Sequence, residues 1–110
     1  MKKIALSVFG TRISSRLDSA DDILLLSLEK GQVKKRERIR IIPSSPLDKM
    51  HQIIQLNPDV LICGGLIQLY KNKLDSTSIT VLPWIKGDTN EVLNQFLHGK
   101  LPGPVTIKNE

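Results

Sequence analysis

Apolar and polar residues follow one another along the first part of the chain in the way that β-strands require. Residues 3–9 are a short, largely apolar run that ends at Gly10 and predicts the first strand. After a polar loop, a second apolar run, 22–28, leads into a turn at 29–32. A third strand begins at Val33, so the three segments are expected to pair antiparallel.

The side chains of the third predicted strand alternate between two faces. One face is wholly basic and consists of Lys34, Arg36, Arg38 and Arg40. The opposite face consists of Val33, Lys35, Glu37, Ile39 and Ile41. One interpretation is an edge strand whose charges prevent pairing with other chains. The other is a binding patch for an acidic protein or nucleic acid, and the sequence leaves both open.

The chain then alternates between helix and strand. Ser45 is a predicted N-cap with Pro46 at the first helical position, and the helix should end before Pro58. The run 59–63 is a short, continuously apolar strand that stops at a pair of glycines.

A second helix is predicted to bury Leu66, Leu69 and Tyr70, and a strand at 78–82 follows it. Asp88 is the predicted N-cap of a last helix. With right-handed crossovers, strand four should lie beside strand one. The pattern predicts an α/β fold, a five-stranded mixed sheet with helices on its faces.

Composition narrows the class of protein. The chain has 110 residues, 40% of them apolar and 25% charged, so we expect one globular domain over 1–101 and a loose C-terminal tail over 102–110. The longest apolar runs, 23–26 and 60–63, are far shorter than a membrane span. No signal peptide is recognised and Cys63 is the single cysteine, which favours a cytoplasmic location.

The net charge of +5 favours an anionic partner, while one Trp, one Tyr and two Phe offer little for base stacking and disfavour nucleic acid. A metal-dependent nuclease would need clustered carboxylates, and residues 3–9 contain none. His51 and His98 are scattered and remote in sequence from Cys63, so neither a nucleophile–base pair nor a zinc site is predicted. We therefore expect a binding protein and not an enzyme.

Open α/β sheets commonly bind ligands at the carboxyl ends of their strands. We expect an anion-binding cleft where strands one and four end. Its candidate ligand-binding residues are Arg12, Ser14, Arg16, Gly64 and Gly65. Guanidinium groups and free backbone N–H groups both suit a small anion. The alternative is that the arginines are solvated loop residues.

Cys63 is the candidate metal ligand, because it ends a buried strand just before the glycines. A position close to a helix N-terminus can lower the pKa of a thiol and favour the thiolate. A free cysteine is also often a small core residue, and the sequence leaves the two roles open.

Three separated segments together resemble one known family. They are RISSRLD at 12–18 with Ala20, DVLICGG at 59–65, and the closing segment 87–101 with its Gly-Lys-Leu end. The chain is similar in these segments to the dinitrogenase iron-molybdenum cofactor biosynthesis family, the NifX-like group. Ser15 and Leu17 stand where that family usually has proline and phenylalanine.

The resemblance implies a ribonuclease H-like fold with strand order 3-2-1-4-5. It also implies a role in holding or carrying an iron-molybdenum or iron-sulfur type cofactor, or in its biosynthesis. Some members carry a histidine, a candidate cluster ligand, where Arg16 stands, and this chain lacks it. The rival hypothesis is an interaction or regulatory domain that uses the basic strand face.

Overall fold

A six-stranded mixed sheet with three helices makes up the computed structural model, which describes residues 2–99. The predicted tail, 102–110, lies outside the described residues. The elements are β1 (Lys2–Phe9), β2 (Arg12–Ile13), β3 (Asp22–Glu29), β4 (Gln32–Arg40), α1 (Pro46–Gln55), β5 (Val60–Ile62), α2 (Gln68–Asp75), β6 (Thr80–Leu82) and α3 (Thr89–Leu97).

The five longer strands are arranged in the order β4-β3-β1-β5-β6. On one side of β1, β3 pairs antiparallel with β1 and β4 pairs antiparallel with β3. On the other side, β5 pairs parallel with β1 and β6 pairs parallel with β5. This order and the placement of β5 beside β1 confirm the sequence prediction. Both parallel connections contain a helix, as crossovers in mixed sheets require.

The prediction of five strands is wrong, because the loop after β1 contains a sixth. Gly10 adopts a φ of 63°, which lets the chain reverse at once. β2 then pairs antiparallel with the end of β1, with Ile13 opposite Val8 and Arg12 opposite Phe9. A two-residue strand is too short to produce a recognisable periodicity.

The sheet separates two apolar clusters. Alternation along β1 sends Ile4 and Leu6 into the cluster that includes Val92 of α3. Ala5 belongs to the opposite cluster, with residues of α1 and α2 such as Met50. Helices therefore cover both faces of the central strands, which explains why β1 and β5 are apolar on both sides.

Within residues 2–99, β4 is an edge strand, because it pairs there with β3 alone. A register shift between Ser27 and Leu28 interrupts the pairing of β3 with β4, and Val33 and Ile39 pack in opposite apolar clusters, so the prediction that these two share one face is wrong.

All four basic residues of the predicted face of β4 are exposed. Two of them are engaged within the chain, since Arg38 donates to Asp22 at 2.8 Å and Arg40 lies 3.4 Å from the same carboxylate. The edge position is confirmed, and a binding role for this face stays a prediction.

The helix starts largely follow the sequence signals. The Ser45 hydroxyl accepts the N–H of Asp48, and Asp88 accepts the N–H groups of Asn90 and Glu91. The prediction that Leu69 is buried is wrong, because its side chain is 44% exposed. Tyr70 and Leu74 form the buried face of α2.

Along residues 2–99, no helix is long and apolar enough to cross a membrane.

We predict that Asp88→Ala lowers the free energy of unfolding by about 1 kcal/mol, because two N–H groups of the first turn of α3 lose their acceptor. Urea unfolding measures the change. Asp88→Asn is the control, since asparagine is an equally good N-cap. Equal losses for both variants would contradict the capping role.

Candidate functional site

Two loops that are distant in the chain meet at the carboxyl ends of β1 and β5. The N–H of Gly65 donates to the Ser15 carbonyl at 2.7 Å, and the N–H of Leu17 donates to the Gly65 carbonyl at 2.8 Å. These bonds place Arg16 beside Gly65 as in a parallel β-bridge. The prediction that both loops share one rim of the sheet is confirmed, and we call this place the rim.

The paired glycines allow this close approach. A Cβ on Gly64 would collide with the Ser14 carbonyl oxygen and lie 2.5 Å from that of Ser15. Both glycines are buried, and the Gly65 N–H is already bound. The expectation that their amides face an anion is therefore wrong for Gly65, and the buried Gly64 is a packing residue.

Ser14 shapes the loop. It is 5% exposed, its hydroxyl donates to the Arg16 carbonyl at 3.0 Å, and its N–H donates to the Ser7 carbonyl at 2.9 Å. Its predicted role as a ligand-binding residue has no support in this inward orientation. The bonds instead fix the backbone that carries Arg16.

Arg16 is held in a defined orientation at the rim. Its Nε and Nη2 donate to the two carboxylate oxygens of Asp18, each at 3.0 Å. The side chain is nevertheless 58% exposed, and a guanidinium has further N–H donors beyond those two. Arg16 can therefore present a preoriented fork to an anion, although Asp18 partly neutralises its charge.

Arg12 lies on the same loop, on the outward side of β2. Its neighbour Ile13 is 4% exposed and points into the core, so alternation turns Arg12 to solvent. The backbone of Arg12 bridges to Asp88, and the Ile13 N–H donates to the Gly87 carbonyl at 2.9 Å. These bonds hold the segment before α3 next to β2. The exposed Lys86 belongs to this segment.

Cys63 lies in the core. It is fully buried in the cluster that includes Leu17 and Tyr70, and burial raises the pKa of its thiol to about 12. The lowered pKa, one of the two alternatives that the sequence left open, is therefore not found, because the apolar surroundings disfavour the thiolate. The geometry favours the packing role over metal ligation. Among residues 2–99, no three His, Cys, Asp or Glu side chains are grouped to hold a metal ion.

Lys49 is a feature that sequence reasoning missed. It is 4% exposed on α1, and its ammonium donates to the Asp18 carbonyl at 3.0 Å. Burial lowers the pKa of Lys49, against the opposing effects of Asp21 and Asp18. The bond fastens the loop to α1, and the only sequence signal was the position of Lys49 next to the apolar stripe at Met50.

Trp84 is the second missed residue and lies directly at the rim. It is 73% exposed, and its backbone N–H donates to the Gly64 carbonyl at 2.9 Å. Its Cζ3 is 3.3 Å from the point where a Gly65 Cβ would stand, and the Arg16 Cγ is equally close to that point. An aromatic ring and a guanidinium side chain therefore flank one glycine.

No protein-family profile matches this sequence, and no curated protein is significantly similar to it. Solved structures are similar in fold. PH0822 aligns with a TM-score of 0.84 at 17% identity, over 96% of this chain and 99% of that one. A Methanocaldococcus jannaschii protein provisionally called a dinitrogenase, MJ0327, gives 0.78 at 21% identity, over 98% and 96%. The apo form of the orange protein from Desulfovibrio gigas gives 0.75 at 16%, over 96% and 94%.

These likenesses establish a shared fold, a mixed α/β sheet with helices, over nearly the whole length of each chain. The name of one of them, MJ0327, refers to dinitrogenase, the enzyme after which the family indicated by the sequence segments is named.

We predict that Gly64→Ala lowers the free energy of unfolding by roughly 1–3 kcal/mol, because the added methyl group overlaps backbone carbonyls that cannot rotate away. Gly65→Ala is the matched variant, with contacts of 3.3 Å that include the flexible Arg16 side chain. Thermal and urea unfolding should rank Gly64→Ala clearly below Gly65→Ala. The reverse ranking would contradict the close approach of the loop.

The raised pKa of Cys63 predicts a loss of stability at alkaline pH. The pKa of the thiol is near 9.0 in the unfolded chain and about 12 in the folded one. The contribution of the buried, protonated thiol to the free energy of unfolding is therefore complete below pH 9 and is lost as the pH rises through 12. Relative to Cys63→Ala, wild-type stability should fall by about 1 kcal/mol between pH 8 and pH 10. Unfolding at both pH values under reductant tests this, and parallel pH profiles would refute it.

Proposed function

We propose that this protein is a non-catalytic binding or carrier protein for an anionic metal–sulfur cluster of the iron-molybdenum or iron-sulfur type, or an accessory protein in its biosynthesis. We place it in the dinitrogenase iron-molybdenum cofactor biosynthesis family, with a ribonuclease H-like fold and a cytoplasmic location. The observation that carries the proposal is the bridge that holds Arg16 against Gly65 at the end of the sheet.

Three independent features support a ligand at this rim. It lies at the carboxyl ends of adjacent parallel strands, where open sheets commonly bind ligands. It carries exposed cations from two segments, Arg12 and Arg16 from one and Lys86 from the other. Chains of the same fold include one provisionally named as a dinitrogenase and the orange protein.

The rim fits a cluster that is held by charge. Cys63 is fully buried and its thiol is protonated at neutral pH, so it is poorly suited to form a metal–thiolate bond. The exposed guanidinium groups are well suited to hydrogen-bond the sulfur or oxygen atoms at the surface of an anion. The proposed cargo is therefore bound non-covalently through Arg12 and Arg16.

Anaerobic reconstitution tests the proposal. Protein incubated with iron, molybdenum and sulfide should retain a visible chromophore through gel filtration, with the metals quantified in the protein peak. Arg16→Gln should retain several-fold less, because the main preoriented donor is lost. Raising the salt concentration should also weaken retention, since exposed charges are screened.

Cys63→Ala is the discriminating control, because binding by charge predicts an unchanged amount of chromophore. Loss of the chromophore in Cys63→Ala alone would instead indicate thiolate ligation and refute the non-covalent mode. A wild-type protein that stays colourless and metal-free under all these conditions would refute the proposed function.

A further inference from the structure

Trp84 combines two features that rarely occur together. Its φ is +63°, a left-handed conformation that is a genuine outlier for a bulky side chain. Its indole is also 73% exposed, so burial of the ring does not compensate for the unfavourable backbone. Residues held in such conformations occur preferentially at binding and active sites.

Neighbouring bonds fix this conformation. The N–H of Trp84 donates to the Gly64 carbonyl, and the N–H of Ile85 donates to the Cys63 carbonyl, both at 2.9 Å. The Ile85 side chain is 6% exposed and packs into the core. With Ile85 anchored inward and its backbone tied to the end of β5, the chain presents the Trp84 ring outward.

The ring is presented beside the guanidinium side chain of Arg16. A Cβ on Gly65 would be 3.3 Å from both Trp84 Cζ3 and Arg16 Cγ. Both side chains therefore border the same small space, which only a hydrogen atom of Gly65 occupies. The Arg16 atom at this contact is the stem carbon Cγ, and we infer that an anion bound by the guanidinium beyond it also touches the edge of the indole.

An indole discriminates between anions by the atoms at their surface. Oxygen-coordinated anions are strongly hydrated and gain little from the benzo edge of the indole that carries Cζ3, because this edge has no hydrogen-bond donor to replace their bonds to water. Sulfur is soft and polarisable and makes favourable contacts with aromatic rings. A ring next to a single guanidinium therefore favours an anion whose outer atoms are sulfur.

We propose that Trp84 is the specificity-determining contact of the rim and that it selects sulfur-coordinated over oxygen-coordinated metal anions. The inference rests on the proposed function, because it assumes that Arg16 binds an anion. It adds a residue and a preference that charge alone does not provide.

Two probe anions of the same charge and metal test this inference, namely tetrathiomolybdate and molybdate. Anaerobic equilibrium dialysis with molybdenum analysis gives the dissociation constant of each for wild type, Trp84→Asn, Arg16→Gln and Ile42→Ala. Asparagine tolerates a positive φ, so Trp84→Asn removes the ring without forcing the backbone to change. Ile42 is a matched control, 79% exposed and just after β4, at the opposite edge of the sheet.

Wild type should bind the thio anion more tightly than the oxo anion. Trp84→Asn should lose roughly two- to tenfold in affinity for tetrathiomolybdate and keep its affinity for molybdate, whereas Arg16→Gln should weaken both and Ile42→Ala neither. Because Trp84 is the single tryptophan, its fluorescence in wild type should be quenched with the same dissociation constant. Free tryptophan amide corrects for absorption by the probe, and this readout does not depend on the folding of any variant.

Wild-type binding that Arg16→Gln weakens and Trp84→Asn leaves unchanged, without saturable quenching, would overturn the role of Trp84 and leave the proposed function intact. Equal losses of affinity for both anions in Trp84→Asn would overturn the proposed selectivity. Retention of neither anion by wild type would overturn the proposed function and the Trp84 contact together.

Discussion

The bridge between Arg16 and Gly65 determines where most chemically interesting groups of this protein lie. Two backbone hydrogen bonds join the loop after β1 to the turn after β5, and they can form only because Gly64 has no side chain to meet the carbonyls of Ser14 and Ser15. The contact closes over the end of the central parallel pair. It buries the glycine amides and leaves the outer surface to Arg12, Arg16 and Trp84.

This constraint changes the chemistry that the same residues suggested in isolation. A diglycine turn after a strand is commonly taken as an anion site made of backbone N–H groups. Here the loop after β1 packs directly against the turn and is hydrogen-bonded to it. Cys63, next to it, becomes a core residue with a raised pKa. The remaining candidates for binding an anion are the side chains carried on the loop, which Lys49 ties to α1 through the Asp18 carbonyl.

Much of the fold was predictable because its signals are local. The caps at Ser45 and Asp88 and the apolar run of β5 each depend on neighbours in sequence. The two faces of β4 were predicted only in part, because a register shift against β3 puts Val33 and Ile39 on opposite sides of the sheet. The meeting of the two loops followed from strand order. What could not be predicted depends on distant parts of the chain: the coverage of Cys63, the burial of Lys49 and the left-handed conformation of Trp84 are set by packing partners, and the two residues of β2 are too few to form a pattern.

The central claim is that the rim, and no other surface, receives a metal–sulfur anion. Amide and indole NMR of labelled protein, titrated with tetrathiomolybdate under anaerobic conditions, locates the contact residue by residue. We expect saturable shifts confined to the loop around Arg16, the Gly64–Gly65 turn and Trp84 with its indole N–H. Shifts confined to the basic face of β4, or none at saturating probe, would contradict it.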